Sequence, residues 1–217
     1  MQGRLVAVLA LGCLAACGGT QVMPTVKLPH ALIAPLPGKI GVIVSGEMRN
    51  FSRKESRAGV SWIITLGPGH LQFSHDLFAA LFHDAEVFPD MASARSASGL
   101  VAIIEPRIEQ YSFATAQETG GSYFAVTIRY RFNLATPRGE PVDSFTLTGY
   151  GNRSAGGMGS SAPLTLATQA AMRDAAAKFM VQFPEQASAK LLASSQPLLA
   201  QVSSAAARDP IEAVPIK

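Results

Sequence analysis

Two cysteines, Cys13 and Cys17, stand near the N-terminus of this 217-residue chain, at a spacing that could hold a metal or cycle between thiol and disulfide. Their position argues against both. Residues 1–16 have the layout of an export signal: one basic residue, Arg4, an apolar run from Leu5 to Leu11, and small residues Ala15 and Ala16 before Cys17. Such a segment is cleaved off, and the run is too short to span a bilayer, which takes about 20 apolar residues. Histidines are the other metal candidates: His30 in a Pro-rich stretch, and His70, His75 and His83 on one expected helix or its entry. At about 100° per residue, the steps from His70 to His75 and on to His83 scatter the rings around the helix. Solvated positions are expected for them, and neither a metal nor a cofactor is expected.

The remaining chemistry is thinner. "GPGH" at Gly67–His70 and the glycines of Gly149–Gly159 precede helices, but no Gly-Lys-Ser/Thr follows, so neither is a phosphate loop. No Gly-x-Ser-x-Gly elbow is present and no acid pair adjoins an evident base, so the chain reads as a non-enzyme. Glu105, Arg107 and Glu109 alternate on one strand face, which predicts a solvated charge ladder. "SGEMRNF", Ser45–Phe51, is the more specific stretch. If the preceding strand continued, Glu47 and Arg49 would share a face, with Met48 and Phe51 as apolar contacts for a protein partner; otherwise Phe51 tucks onto the core. The loop "GNRSAGGMGSSA", carrying Arg153 and Met158, is of the long glycine-rich kind that orders on a partner.

The elements that would position these residues follow from pattern. Residues 17–38 contain Pro24, Pro29, Pro35 and Pro37 and read as an extended tether. "KIGVIVS", Lys39–Ser45, is a buried strand, and "VSWIITL", Val60–Leu66, could pair with it across a polar Arg49–Arg57 stretch. His70–Asp84 is a helix with Leu71, Ser74, Leu77, Phe78, Leu81 and Phe82 on its apolar face. Glu86–Phe88 is a short strand, and Met91–Ser98 a small-residue loop. "GLVAIIEPRIEQYSFA", "YFAVTIRYRFNL" and "VDSFTLTGYG" are long antiparallel strands, the second alternating without a break from Phe124 to Leu134; Pro106 marks an edge or a bulge in the first. Pro163 opens a second helix with the stripe Met172, Ala176, Phe179 and Phe183 and the i,i+4 pair Asp174–Lys178. The order β(β)-α-β-β-β-α predicts an α+β two-layer sandwich, a mainly antiparallel sheet with two helices on one face. The expected division is signal 1–16, anchor and tether 17–38, domain 39–184, and a weakly helical or disordered tail 185–217.

Leu14-Ala15-Ala16-Cys17 resembles the lipobox of bacterial lipoproteins. The resemblance implies that Cys17 is acylated and becomes the N-terminus, that Cys13 leaves with the signal, and that the folded domain has no thiol to pair. Gly18 stands where an inner-membrane retention aspartate would be, which implies the outer membrane with the domain on the periplasmic face. The order of elements resembles small α+β accessory lipoproteins of the lipopolysaccharide-assembly and ABC-transport auxiliary kinds. "GVIVSGEMRNF", "IEPRIEQYSF", "TGYG" and "AMRDAAAKF" resemble more closely a group of proteobacterial lipoproteins without an assigned activity, over roughly Lys39–Phe183. The formal charge of +3 falls to +2 without Arg4, and no run of five Lys/Arg exists, so nucleic acid is not an expected partner. The expected role is a non-enzymatic accessory or scaffold subunit that holds an envelope protein in an assembly or transport machine. The alternatives are a lipid or glycan carrier, against which the alanines of the second helix argue, and a homo-oligomeric ring built through strand edges.

Overall fold

The computed structural model describes residues 19–28, 34–155 and 161–199. Cys17, His30 and Met158 lie outside them. Five strands form the main sheet: Leu36–Ile43 (β2), Phe82–Phe88 (β5), Leu100–Ala114 (β6), Tyr123–Ala135 (β7) and Pro141–Ser154 (β8), in the order β5-β2-β6-β7-β8. A smaller sheet joins Thr20–Val22 (β1), Ser52–Arg57 (β3) and Val60–Thr65 (β4) in the order β1-β4-β3. The fold is an α+β sandwich.

The alternation from Phe124 to Leu134 does what it predicts. Phe124, Val126, Ile128, Tyr130, Phe132 and Leu134 are all buried, beneath the helices Gly67–Leu81 (α2) and Ala162–Gln182 (α4). Phe132, Phe145, Phe179 and Phe183 form one ring cluster, with Phe132 and Phe179 4.5 Å apart between centroids. Phe132, Phe179 and Phe183 are fully buried, each contributing about 1.5–3 kcal/mol by leaving water, and Phe145 is half-buried against them. Helix α4 runs almost as predicted, with Pro163 in its first turn and Pro184 just past its end.

α4 lies unusually close to β8. A Cβ on Gly149 would sit 2.1 Å from the Ala171 carbonyl oxygen, and one on Gly151 2.1 Å from that of Ala167. The glycines of "TGYG" and the alanine stripe Ala167, Ala171, Ala175 are therefore two halves of one contact, and the helix backbone rests on the sheet without a gap at this point.

Several expectations are corrected. Val60–Thr65 pairs with β3 and β1, not with β2, because a two-residue turn at Ala58–Gly59 delivers β3 as its hairpin partner. β2 instead runs parallel to both β5 and β6. Its unbroken buried run Ile40–Val44 is the pattern of a strand covered on both faces. The second cover is Met91–Ser96 (α3), expected as a loop. Asp90 caps it, its Oδ1 accepting from the Ser93 amide at 2.7 Å, and it closes a small core of Ile43, Phe88, Ala94, Leu100, Ile103 and Ala135 on the sheet face away from α2 and α4.

α2 begins at Gly67 and ends at Leu81, three residues ahead of the expected helix at each end, and Phe82 opens β5. The "GPG" stretch is its first turn. A Cβ on Gly69 would meet the Pro24 carbonyl oxygen at 2.1 Å, so only glycine lets the N-terminal segment pass there. That segment is not a free tether in its described part. β1 pairs with β4, Val22, Pro24 and Val26 are buried in alternation, and Gln169 Nε2 donates to the Thr25 carbonyl at 2.8 Å. Beyond Pro184, Ala187–Ala193 (α5) buries Ala189 and Leu192, and the Leu198 amide bonds to the Val101 carbonyl, so packing continues to Leu198.

Candidate functional site

β2 ends at Ile43, and its last paired residue on β6 is Ile104. β6 runs on for ten residues to Ala114, so from Pro106 onward it has no strand partner on that side. A proline without an N–H is tolerated there, and a bulge between Ile108 and Gln110 follows. The chain after β2 folds over this exposed stretch. Ser45 caps a single helical turn, Gly46–Arg49 (α1), its Oγ accepting from the Met48 amide at 3.3 Å.

The result is a cleft of about 270 Å³ lined by Ser45, Glu47, Met48, Phe51, Arg107, Ile108, Glu109, Arg131 and Asn133. Met48, Phe51 and Ile108 supply apolar surface; the rest is polar. Arg131 and Glu109 are ion-paired across the bulge through Nε and Oε1, and Arg107 pairs with Glu105 at 3.0 Å. Two acids, Glu47 and Glu109, and two bases, Arg107 and Arg131, give the cleft no net sign. Mixed charge over an apolar floor suits a segment of polypeptide better than an acyl chain or a polyanion.

The predicted residues divide. Glu47 is exposed at the rim, and Phe51, half-buried, packs against the core while lining the cleft. Met48 is 3% exposed and belongs mainly to the core. Arg49 does not share a face with Glu47: the strand stops, a helical turn takes over, and the Arg49 Nε donates inward to the Val44 carbonyl at 2.7 Å. Arg153 is exposed near the end of β8, where it pairs with Phe124; Arg131 lies seven residues along β7, roughly 24 Å away. Arg153 is thus not part of the cleft, and Met158 lies outside the described residues. The charge ladder is present, with Arg107 paired to Glu105 and Glu109 paired to Arg131, the residue opposite Arg107 on β7. Ile108, Arg131 and Asn133 were not singled out as site residues by sequence. The available signal was a mismatch of length: a seven-residue apolar run beside a sixteen-residue one leaves part of the sheet bare.

The most displaced titratable groups lie elsewhere. His70 is fully buried, not solvated, and its imidazole is pushed down to about 4 by burial, partly offset by its bond to Leu66. Its Nδ1–H donates to the Leu66 carbonyl at 2.9 Å, which leaves Nε2 to accept from the Tyr130 hydroxyl at 2.6 Å. Burial drives the Tyr130 and Tyr111 phenols up, and Tyr111 shares a 2.9 Å hydrogen bond with Thr168. These are core pairs. His75 and His83 are exposed. Among the described residues no three His, Cys, Asp or Glu side chains converge as metal ligands, and no helix is long and apolar enough to cross a membrane.

No protein-family model matches the chain, and no curated protein matches its sequence. Solved structures resemble it in part, three of them as follows. A chain from Caulobacter crescentus provisionally described as a lipoprotein is 14% identical, covering 48% of this chain and 76% of its own length at a TM-score of 0.33. The lipoprotein GNA1162 of Neisseria meningitidis is 14% identical over 61% of this chain and 94% of its own, at 0.30. A Helicobacter pylori protein provisionally described as a neuraminyllactose-binding hemagglutinin homolog is 7% identical over 79% of this chain and 97% of its own, at 0.43. Likenesses this distant assign neither family nor activity.

Proposed function

We propose that the chain is a lipoprotein of the outer membrane, acylated at Cys17 with its domain in the periplasm, and a non-enzymatic accessory subunit that holds a protein of an envelope assembly or transport machine. The anchor rests on Leu14-Ala15-Ala16-Cys17. The accessory role rests on the mixed-charge cleft between α1 and the β6–β7 face. The carrier reading is weakened by the close seating of α4 on Gly149 and Gly151, which leaves no room between helix and sheet there.

The test is crosslinking of intact envelopes followed by affinity purification and mass spectrometry, comparing the wild type with Cys17→Ala and Arg131→Glu. Arg131→Glu sets a third acid beside Glu47 and Glu109 without touching the core. One recurrent envelope protein, lost with Arg131→Glu and reduced with Cys17→Ala, is the expected result. Recovery of the same proteins from all three, or of this chain alone, rejects the accessory role.

A further inference from the structure

The first described residue, Gly19, is already seated: a Cβ there would lie 3.1 Å from both the Ser61 carbonyl oxygen and the Ile63 side chain. Thr20 pairs with Trp62 at the start of the parallel β1–β4 ladder. Cys17 is therefore two residues from a fixed point on the domain. Two residues reach about 7 Å at full extension, whereas a Pro-rich tether of about 20 residues would extend about 60 Å. On the acylation proposed above, we infer that the end of the domain around Gly19 rests directly on the lipid headgroups.

The side chains at that end fit such a surface. Gly19 adjoins the N-terminal end of β4, next to the Ala58–Gly59 turn of the β3–β4 hairpin. Arg57 ties the hairpin to the loop after β6 through Glu118 at 3.2 Å, and the Glu118 carboxylate accepts from the Thr115 amide at 2.7 Å, so turn and loop form one unit. Two large apolar side chains stand exposed on it, Val60 at 39% and Tyr123 at 44%. Tyrosine places an apolar ring and a polar tip at a headgroup boundary. Lys54 and Arg153, both exposed, lie on the strands leading to this end and suit an anionic leaflet. The opposite end of the sheet, with the β7–β8 turn at Arg138 and the start of β5 at His83, then points away from the membrane.

The test uses the acylated full-length protein in vesicles of phosphatidylethanolamine and phosphatidylglycerol that contain a headgroup nitroxide lipid. A fluorophore is placed in turn at Val60→Cys, Tyr123→Cys, His83→Cys and Arg138→Cys; the thioether at Cys17 leaves each new thiol as the labelling site. Quenching several-fold stronger at positions 60 and 123 than at 83 and 138 is expected, and a long Gly/Ser insert after Cys17 should abolish the difference. Equal quenching at all four positions in acylated protein overturns the standing orientation and leaves the lipoprotein reading intact. An intact mass without acyl chains on Cys17 overturns both.

Discussion

At the scale of single residues, the fold holds one histidine neutral. In the unfolded chain His70 takes up a proton near its ordinary pKa of 6.5, but in the core it resists protonation down to about 4. Between those values the unfolded state binds more protons, so stability falls as the pH drops through this window and is flat above it. From pH 7 to pH 5 the loss amounts to about 2 kcal/mol. Asp90 and Glu118 carboxyls, held below their ordinary values by bonds to Ser93 and Thr115, contribute only at the acid edge of the window. His70→Leu should therefore be less stable than the wild type at pH 7, since the Tyr130 hydroxyl loses its acceptor, yet lose less between pH 7 and pH 5. Urea midpoints at the two pH values decide it: parallel losses in both proteins would assign the acid sensitivity to another group.

At the scale of elements, β8 is an edge strand with a long row of outward backbone groups, the feature through which sheets add to one another. α4 covers part of it. Lys178 Nζ donates to the Thr148 carbonyl and the Tyr150 amide donates to Asp174, both at 2.8 Å, with the ammonium 4.7 Å from the Tyr150 ring centroid. The Ser144 amide is taken by Asp143 at 2.8 Å. Replacing Asp174 and Lys178 together by alanine should open the edge and raise the mass measured by sedimentation velocity as concentration rises. A mass unchanged from the wild type would show that other features guard the strand. The sequence displayed Asp174 and Lys178 as an i,i+4 pair; that they serve the edge is a tertiary fact, invisible before β8 is placed. The same divide runs through the fold. β6, β7, β8 and α4 were legible because alternation and a 3.6-residue period state which face is buried. The partners of β2 were not, because parallel pairing depends on where the α2 crossover returns the chain. His70 misled because a polar residue at a helix entry reads as solvated until Tyr130 is seen opposite it. Half the cleft was legible, Glu47 and Phe51 with the outward face of β6, while its other wall needed the register that sets Arg131 against Arg107.

At the scale of the molecule, on the acylation proposed above, the N-terminal segment would link Cys17 to the fold, and its docking on β4 would set how the domain stands. The alternation of Val22, Pro24 and Val26 with Gln21, Met23, Thr25 and Lys27 was a strand-like signal that the density of prolines obscured. Its fit depends on Gly69, since a methyl group there collides with the Pro24 carbonyl. Overpacking of this kind costs about 1–3 kcal/mol. If the strap yields before α2 does, that cost appears as a strap released about 5- to 150-fold more often. Lys27, exposed at the end of the strap, reports the release, because trypsin needs the surrounding backbone free of its contacts to cleave there. Gly69→Ala should keep the far-ultraviolet circular dichroism of the wild type and be cut after Lys27 faster by that factor. In acylated protein on vesicles the same cut separates the domain from Cys17, so the domain should appear in the supernatant at the rate of cleavage. Unchanged cleavage would mean that α2 moves instead of the strap, and a slowly released, still vesicle-bound domain would mean that the cut segment stays docked on β4 or that the domain itself holds the lipid.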